Sequence, residues 1–167
     1  RRYRAISKKI SAIRSNYFLD FEFQSQGVRV NGEKFPVVKM AWANGDTLGE
    51  FLEQHYRKKN DLQQLNSSLH VLANYLESQH LAHGDIQPGN VMVFNNGRSI
   101  QLIDYDGMFV DDLKTLGSAE LGHRNFQHPQ RTIKFWDQRL DRFSFIALDL
   151  ALKVLGAHPD LWNKTQS

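Results

Sequence analysis

Two polar motifs near the middle of the chain carry residues that could do chemistry. The first runs from His83 to Asn90 and contains Asp85, and the second begins at Asp104, fourteen residues after Asn90. Carboxylate and amide oxygens are ligands that Mg²⁺ prefers, and a carboxylate can also orient or deprotonate a reacting hydroxyl group. Either motif alone could be an ordinary turn, because Asp, Asn, Gly and Pro are common turn residues. The presence of both motifs at this spacing favours the chemical interpretation.

A β-hairpin is predicted to hold these side chains together. The apolar run Val91–Phe94 predicts one strand, residues 95–97 predict a turn, and Ile100–Ile103 predicts the second strand. In such a hairpin the three polar side chains lie at the same end of the two strands.

The two motifs resemble those of the protein-kinase superfamily. The catalytic loop of that family reads H-R-D-x-x-x-x-N and its metal motif reads D-F-G. Here residues 83–90 read H-G-D-I-Q-P-G-N and residues 104–107 read D-Y-D-G. Together with E-L-G-H-R-N-F-Q-H-P and L-D-R-F-S further along, they are similar to a bacterial group of serine/threonine-kinase-like proteins.

The resemblance covers nearly the whole chain and implies an α+β, protein-kinase-like fold. Residues 1–42 would form a partial small lobe, made of the regulatory helix and antiparallel strands up to the hinge. Residues 43–167 would form a mainly helical large lobe with the catalytic loop, the metal motif, the activation segment and the central helix.

The resemblance also implies a role for each polar residue. Asp85 is expected to be the catalytic base, Asn90 a Mg²⁺ ligand, and Asp104 the Mg²⁺ ligand that bridges the metal to the ATP phosphates. His83 is expected to be structural and to pack beside Tyr105. The implied activity is Mg²⁺- and ATP-dependent phosphoryl transfer to a Ser or Thr hydroxyl of a protein.

The adenine site is placed by the same comparison, partly at the hinge and partly on the hairpin. The residues expected to contact the nucleotide are Met40, Ala41, Trp42, Met92 and Ile103. Lys39 has two interpretations of equal weight, a gatekeeper behind the adenine or a simple surface lysine, since lysine is rarely buried without a partner.

Hydrophobic periodicity predicts the elements of the first region. Residues 1–15 have isoleucines at spacings of three and four, which is typical of an amphipathic helix. Alternating apolar residues then predict strands over 16–42, with one run through Phe23, a second over Gly27–Val30 and a third over Phe35–Trp42.

Two helices are predicted to position the motifs of the second region. A long helix from about Asp61 to Gln79 has leucines along one face, and Thr47 with Glu50 predicts a capping box for a shorter helix before it. Another apolar helix opens at Asp141 and ends at Gly156. The resemblance makes Asp141 the residue that holds the catalytic-loop backbone, and an ordinary acid at a helix start is the alternative.

Composition describes an ordinary globular protein of the cytoplasm. The 167 residues are 41% hydrophobic and carry a formal net charge of +3, which is too weak to indicate nucleic-acid binding. The chain has no cysteine, which fits a reducing compartment. No signal peptide or membrane-spanning run is visible in the sequence.

Three departures from the family pattern bear on activity. Gly84 replaces the arginine that would receive a phosphorylated activation loop, Gln87 replaces a lysine that contacts the γ-phosphate, and Asp106 stands where a glycine is expected. No Gly-rich phosphate loop and no V-A-I-K-like strand occur. Because the chain also opens on Arg1, we expect a fragment that is inactive by itself.

Two other functions stay open at this stage. A small-molecule phosphotransferase of the aminoglycoside or choline type also uses H-G-D and I-D-x-D motifs. A pseudokinase would be a binding scaffold without transfer activity, but retention of Asp85, Asn90 and Asp104 argues against it. The segment Glu120–Pro129 and Asp141 favour the protein kinase.

The missing phosphate loop generates the first prediction. Residues 1–167 should bind Mg²⁺-ATP weakly or not at all, because half of the expected nucleotide clamp is absent. Isothermal titration with Mg²⁺-ATP measures this, and tight binding would contradict the prediction.

Overall fold

The computed structural model describes residues 1–165, which form an α+β fold, as predicted. The last two residues of the predicted 43–167 region lie outside the described residues. The helices are α1 (Arg2–Ile13), α2 (Leu48–His55), α3 (Lys59–Ser78), α4 (Arg142–Ala157) and α5 (Leu161–Thr165). The strands are β1 (Phe21–Val30), β2 (Glu33–Met40), β3 (Asp46–Thr47), β4 (Leu81–Ala82), β5 (Val91–Phe94), β6 (Ser99–Leu102) and β7 (Phe109–Val110). They pair antiparallel as β1-β2, β3-β5-β6 and β4-β7.

The long helix α3 buries one apolar face in the core. Its buried residues recur every three or four positions and are Leu62, Leu65, Leu69, Leu72 and Leu76. The face that they form packs against α4, whose buried Leu148, Leu152 and Leu155 have the same spacing. The predicted leucine face is therefore confirmed, and the helix begins at Lys59, two residues earlier than predicted.

The capping box before α2 is confirmed. The Thr47 hydroxyl accepts a hydrogen bond from Glu50 N at 3.2 Å, and Thr47 N donates to Glu50 Oε2 at 2.7 Å. Thr47 also belongs to β3, where it pairs with Met92 of β5. The same residue thus begins the helix and joins it to the central sheet.

The predicted hairpin at the two motifs is also confirmed. Strand β5 pairs with β6 in the register Val91↔Leu102 to Phe94↔Ser99. A short 3₁₀ turn over Asn95–Gly97 joins them, and all three of its residues have positive φ. Asn and Gly adopt that conformation at least cost, which explains why N-N-G forms the turn.

The prediction of two separate strands before Asn31 was wrong. β1 is one continuous strand that pairs with β2 from Phe21↔Met40 to Val30↔Glu33, with a register shift between Gln24 and Val28. A β-bulge absorbs extra residues without ending a strand, and this bulge contains Gly27. Beyond Phe21 both strands are largely exposed.

One apolar core crosses the predicted boundary at residue 42. Ile6 and Ile10 of α1 are buried, and α1 contacts β1 as well as β7 of the second region. The rings of Phe18 and Phe21 pack edge-on against Tyr105, with centroids 5.8 Å and 5.1 Å apart. The position of α1 therefore depends on residues that follow the metal motif.

The end of α4 differs from its prediction. The helix passes through Gly156 to Ala157, and His158 N still donates to Val154 O. It stops there because the residue before a proline disfavours helical backbone, and His158 precedes Pro159. Within the described part of the chain, no helix is both long enough and apolar enough to cross a bilayer.

The buried Tyr105 hydroxyl generates the second prediction. It accepts a hydrogen bond from Leu19 N at 2.8 Å and donates one to Leu102 O at 2.7 Å. Tyr105→Phe leaves both backbone groups without a partner inside the core, so unfolding free energy should fall by about 2 kcal/mol.

Urea denaturation measures this loss. The control is Tyr56→Phe, because the Tyr56 hydroxyl makes no hydrogen bond among the described residues, and its change should stay within about 0.5 kcal/mol. Equal effects of the two substitutions would show that the Tyr105 hydroxyl does not join the two segments.

Candidate active site

Three donors hold the Asp85 carboxylate. Oδ2 accepts hydrogen bonds from Gln87 Nε2 and Asn90 Nδ2, each at 3.0 Å. Oδ1 accepts one from the backbone N–H of His123 at 2.6 Å. The first two donors belong to the same loop and the third comes from the segment after the metal motif, so the carboxylate joins two distant parts of the chain.

The Asn90 side chain is oriented by its nitrogen. Nδ2 donates to both the main-chain oxygen and Oδ2 of Asp85, each at 3.0 Å. No hydrogen bond to Asn90 Oδ1 occurs among the described residues. A buried amide held in this way keeps its oxygen available as an acceptor or metal ligand.

Asp104 comes directly after Ile103, whose backbone N–H forms a hydrogen bond with Asn90. Ile103 N donates to Asn90 O at 3.1 Å, which brings residues 104–107 to the end of the loop 83–90. These two stretches keep the names metal motif and catalytic loop from the pattern that they resemble. Asp104 itself is exposed and has a φ of 63°, in the left-handed region that few residues other than glycine adopt. Backbone of this kind concentrates at functional sites.

Negative charge collects where the two motifs meet. Partial burial and the charges of Asp104, Asp85 and Asp106 raise the pKa of the Glu120 carboxyl. One acid of the first motif and two of the second therefore lie close enough to Glu120 to raise its pKa. Such a site attracts cations.

The Asp141 side chain holds the catalytic-loop backbone. Its oxygens accept hydrogen bonds from His83 N at 2.5 Å and Gly84 N at 2.8 Å. It makes no hydrogen bond that caps its own helix. Burial raises the pKa of Asp141, while His83, the two N–H groups and Arg131 act in the opposite direction. Asp141 therefore stands at the start of α4, and its side chain forms the backbone-holding contact.

His83 packs under the loop as predicted. Its ring lies edge-on to Tyr105 with centroids 6.2 Å apart, and Nε2 lies 2.9 Å from Ile103 O. Because a carbonyl oxygen only accepts, Nε2 carries the proton and Nδ1 faces Asp85 N at 3.4 Å. The ring thereby links the catalytic loop to the metal motif.

The backbone at Gly84 excludes any side chain. Its φ is 82°, and a Cβ atom built there would lie 2.2 Å from Gly107 O. The two glycines therefore allow the catalytic loop and the metal motif to touch. This contact gives a physical reason why an arginine cannot occupy position 84.

Two residues that sequence reasoning missed reach the same loop. The buried Gln127 donates from Nε2 to Gly84 O at 3.1 Å, and Arg131 donates from Nη1 to the same oxygen at 2.9 Å. Periodicity could not identify them because they lie in irregular chain. The signal that was present is the resemblance of the stretch around Gln127 to the end of a kinase activation segment.

The predicted adenine contacts lie in two different parts of the fold. Met40, Ala41 and Trp42 lie at the exposed end of β2, and Trp42 is 88% exposed. Met92 is buried in the central sheet, next to β3. Ile103, also predicted to contact adenine, is half-buried and gives its backbone to Asn90 and His83. The exposed side chain of Lys39 agrees with a surface lysine.

Helix α1 reaches the metal motif through a tyrosine. Burial and the charge of Asp106 raise the pKa of the Tyr3 hydroxyl, so this side chain lies beside the D-Y-D-G motif. Arg2 donates to Gly117 O at 2.8 Å from the same turn of the helix. Helix α1 thus contacts both the motif and the segment that follows it.

The donor set of Asn90 and Asp104 suits Mg²⁺ only in combination with other oxygens. Among residues 1–165 no three His, Asp or Glu side chains are grouped as a metal site. One amide and one carboxylate would leave most of the metal's coordination to phosphates and water, which is common for Mg²⁺. The chemistry of these donors therefore fits a metal that binds together with a nucleotide.

Comparison with known proteins adds no assignment, since no family model and no curated protein matches the chain. The functional argument therefore depends on the geometry of the residues themselves.

Two glycines of the catalytic loop provide the third prediction. Gly84→Ala should lower unfolding free energy by about 2–4 kcal/mol, since it combines left-handed backbone with a collision against Gly107 O. Gly89→Ala is the matched control, because a Cβ there meets nothing within 4 Å. Chemical denaturation compares the two variants, and equal stabilities would contradict the contact between the loop and Gly107.

Proposed function

We propose that this chain carries the catalytic centre of a Mg²⁺- and ATP-dependent phosphotransferase that acts on a Ser or Thr hydroxyl of a protein. The observation that carries the proposal is the arrangement of Asn90. Its side-chain nitrogen holds Asp85, while its side-chain oxygen accepts no hydrogen bond among residues 1–165. Its main-chain oxygen bonds to Ile103 N, the residue before Asp104. A base and a metal ligand are thereby oriented by one side chain.

Asp85 would orient the attacking hydroxyl and accept its proton. Phosphoryl transfer depends mostly on positioning and on neutralising charge at the phosphate oxygens. Three hydrogen bonds fix the Asp85 carboxylate, so little rotational freedom is lost when an acceptor binds. Gln87 supplies one of them as a neutral donor, where the family has a cationic lysine.

Asn90 Oδ1 and Asp104 would hold Mg²⁺. The bound metal would supply charge neutralisation for the phosphate oxygens of ATP. The acids near Glu120, which are Asp104, Asp85 and Asp106, favour a divalent cation here. Met40, Ala41, Trp42, Met92 and Ile103 are the proposed contacts of the adenine.

A protein acceptor is favoured by the segment that follows the metal motif. Residues 120–131 lie against the catalytic loop, and the backbone of His123 bonds directly to Asp85. This irregular segment, which includes a 3₁₀ turn over Arg124–Phe126, offers a surface on which a peptide could lie next to the base. We also propose a cytoplasmic location, with which the lack of cysteine is consistent.

The fourth prediction tests Asp85. In the full-length protein, Asp85→Asn should lower kcat for phosphoryl transfer by about 10²–10⁴-fold, because the base is lost while the shape of the side chain is kept. Asp112→Asn is the control, since this exposed carboxylate lies outside the site and should leave the rate unchanged. Transfer of ³²P from labelled ATP measures both.

Unaltered transfer by Asp85→Asn would remove Asp85 from the mechanism. A panel of protein and small-molecule acceptors, run with the wild-type protein, decides the substrate class. Labelling of small molecules alone would replace the protein kinase by a small-molecule phosphotransferase. No transfer to any acceptor would leave a binding scaffold.

A further inference from the structure

Two side chains from one segment converge on the carbonyl oxygen of Gly84. Gln127 Nε2 lies 3.1 Å from it and Arg131 Nη1 lies 2.9 Å from it. Arg131 Nη1 also contacts Gln127 Oε1, and Nη2 lies 3.5 Å from Glu120 O. The guanidinium therefore joins both ends of the segment 120–131 to the catalytic loop.

The segment makes a second contact one residue further along the loop. His123 N bonds to Asp85 Oδ1 at 2.6 Å. At the preceding Gly122, a Cβ would lie 2.7 Å from Gly84 O and 2.8 Å from Asp85 Oδ1. The backbone of Gly122 and His123 is thus in direct contact with the Gly84 carbonyl and with the carboxylate of Asp85, the proposed base.

Arg131 lies near three acids from different parts of the chain, Asp85, Glu120 and Asp141. Burial lowers its pKa, while the charges of Asp141, Asp85 and Glu120 raise it. Position 84 has no room for a side chain, as its contact with Gly107 O shows. The positive charge beside Gly84 and Asp85 is therefore supplied by Arg131, from the segment 120–131.

We propose that Arg131 is a positioning residue that, together with Gln127, clamps residues 120–127 onto the catalytic loop and so orients Asp85 toward the acceptor. The clamp consists of hydrogen bonds between groups of the chain itself. It would therefore replace the docking that a phosphorylated segment and a loop arginine provide elsewhere. Its kinetic consequence rests on the proposed function.

The guanidinium shape is essential to this role. Nη1 and Nη2 point at two carbonyl oxygens, Gly84 O and Glu120 O, from one rigid plane. A lysine keeps the charge but has one compact ammonium group that cannot reproduce the fork. Arg131→Lys should therefore behave like Arg131→Met and unlike the wild-type protein.

The first arm of the test is amide hydrogen exchange, which does not depend on activity. Arg131→Met and Arg131→Lys should speed exchange of residues 117–127 by about tenfold or more and leave α3 unchanged, since only local opening becomes easier. Arg124→Met is the control, because this exposed cation of the same segment makes no side-chain hydrogen bond among the described residues. Unchanged exchange in both Arg131 variants would overturn the clamp.

The second arm is steady-state kinetics on the full-length protein. Loss of positioning should lower kcat/KM for the acceptor by about 10²-fold in both Arg131 variants, with KM for ATP unchanged within about twofold. An equal rise of KM for ATP would show general damage and overturn the positioning role. Gln127→Met keeps the Arg131 guanidinium and should lower kcat/KM for the acceptor by a smaller factor, again with KM for ATP unchanged. This variant replaces the Arg131 variants in the test if they do not fold.

The two arms separate the two proposals. Absence of transfer in the wild-type protein would defeat the proposed function, while faster exchange in the Arg131 variants would still support the clamp. Normal transfer with unchanged exchange would keep the function and defeat the clamp.

Discussion

The buried carboxylate of Asp141 is the contact on which the candidate site depends. It accepts hydrogen bonds from the backbone N–H groups of His83 and Gly84, the two residues before Asp85. Buried N–H groups need a partner, and a carboxylate gives stronger hydrogen bonds than a neutral acceptor. Because α4 begins at the next residue and packs on the leucine face of α3, the loop is fixed to the helical part of the core.

Close contact between backbones is the second constraint. Gly84 touches the backbone of Gly107, and Gly122 touches the Gly84 carbonyl and the Asp85 carboxylate, so three irregular segments meet at glycines where a Cβ atom would not fit. This packing excludes an arginine, or any other side chain, from position 84. It also requires polar groups from elsewhere to satisfy Gly84 O, a need that Gln127 and Arg131 meet.

Local chemistry explains which elements could be predicted. The leucine face of α3, the capping box at Thr47 and the N-N-G turn each depend on residues close together in the chain, and each was found. The continuity of β1 and the end of α4 were not. A bulge can absorb Gly27, and Gly156 can stay helical, so a glycine alone does not end an element.

The sequence by itself determined the types and spacing of Asp85, Asn90 and Asp104, together with the hairpin between the last two. Only the tertiary structure decided what surrounds them, above all Arg131 and Gln127 on the carbonyl of Gly84. The physical reason is that a carbonyl oxygen has no sequence signature. Which distant donor satisfies it depends on how irregular segments pack, and local patterns carry no information about that packing.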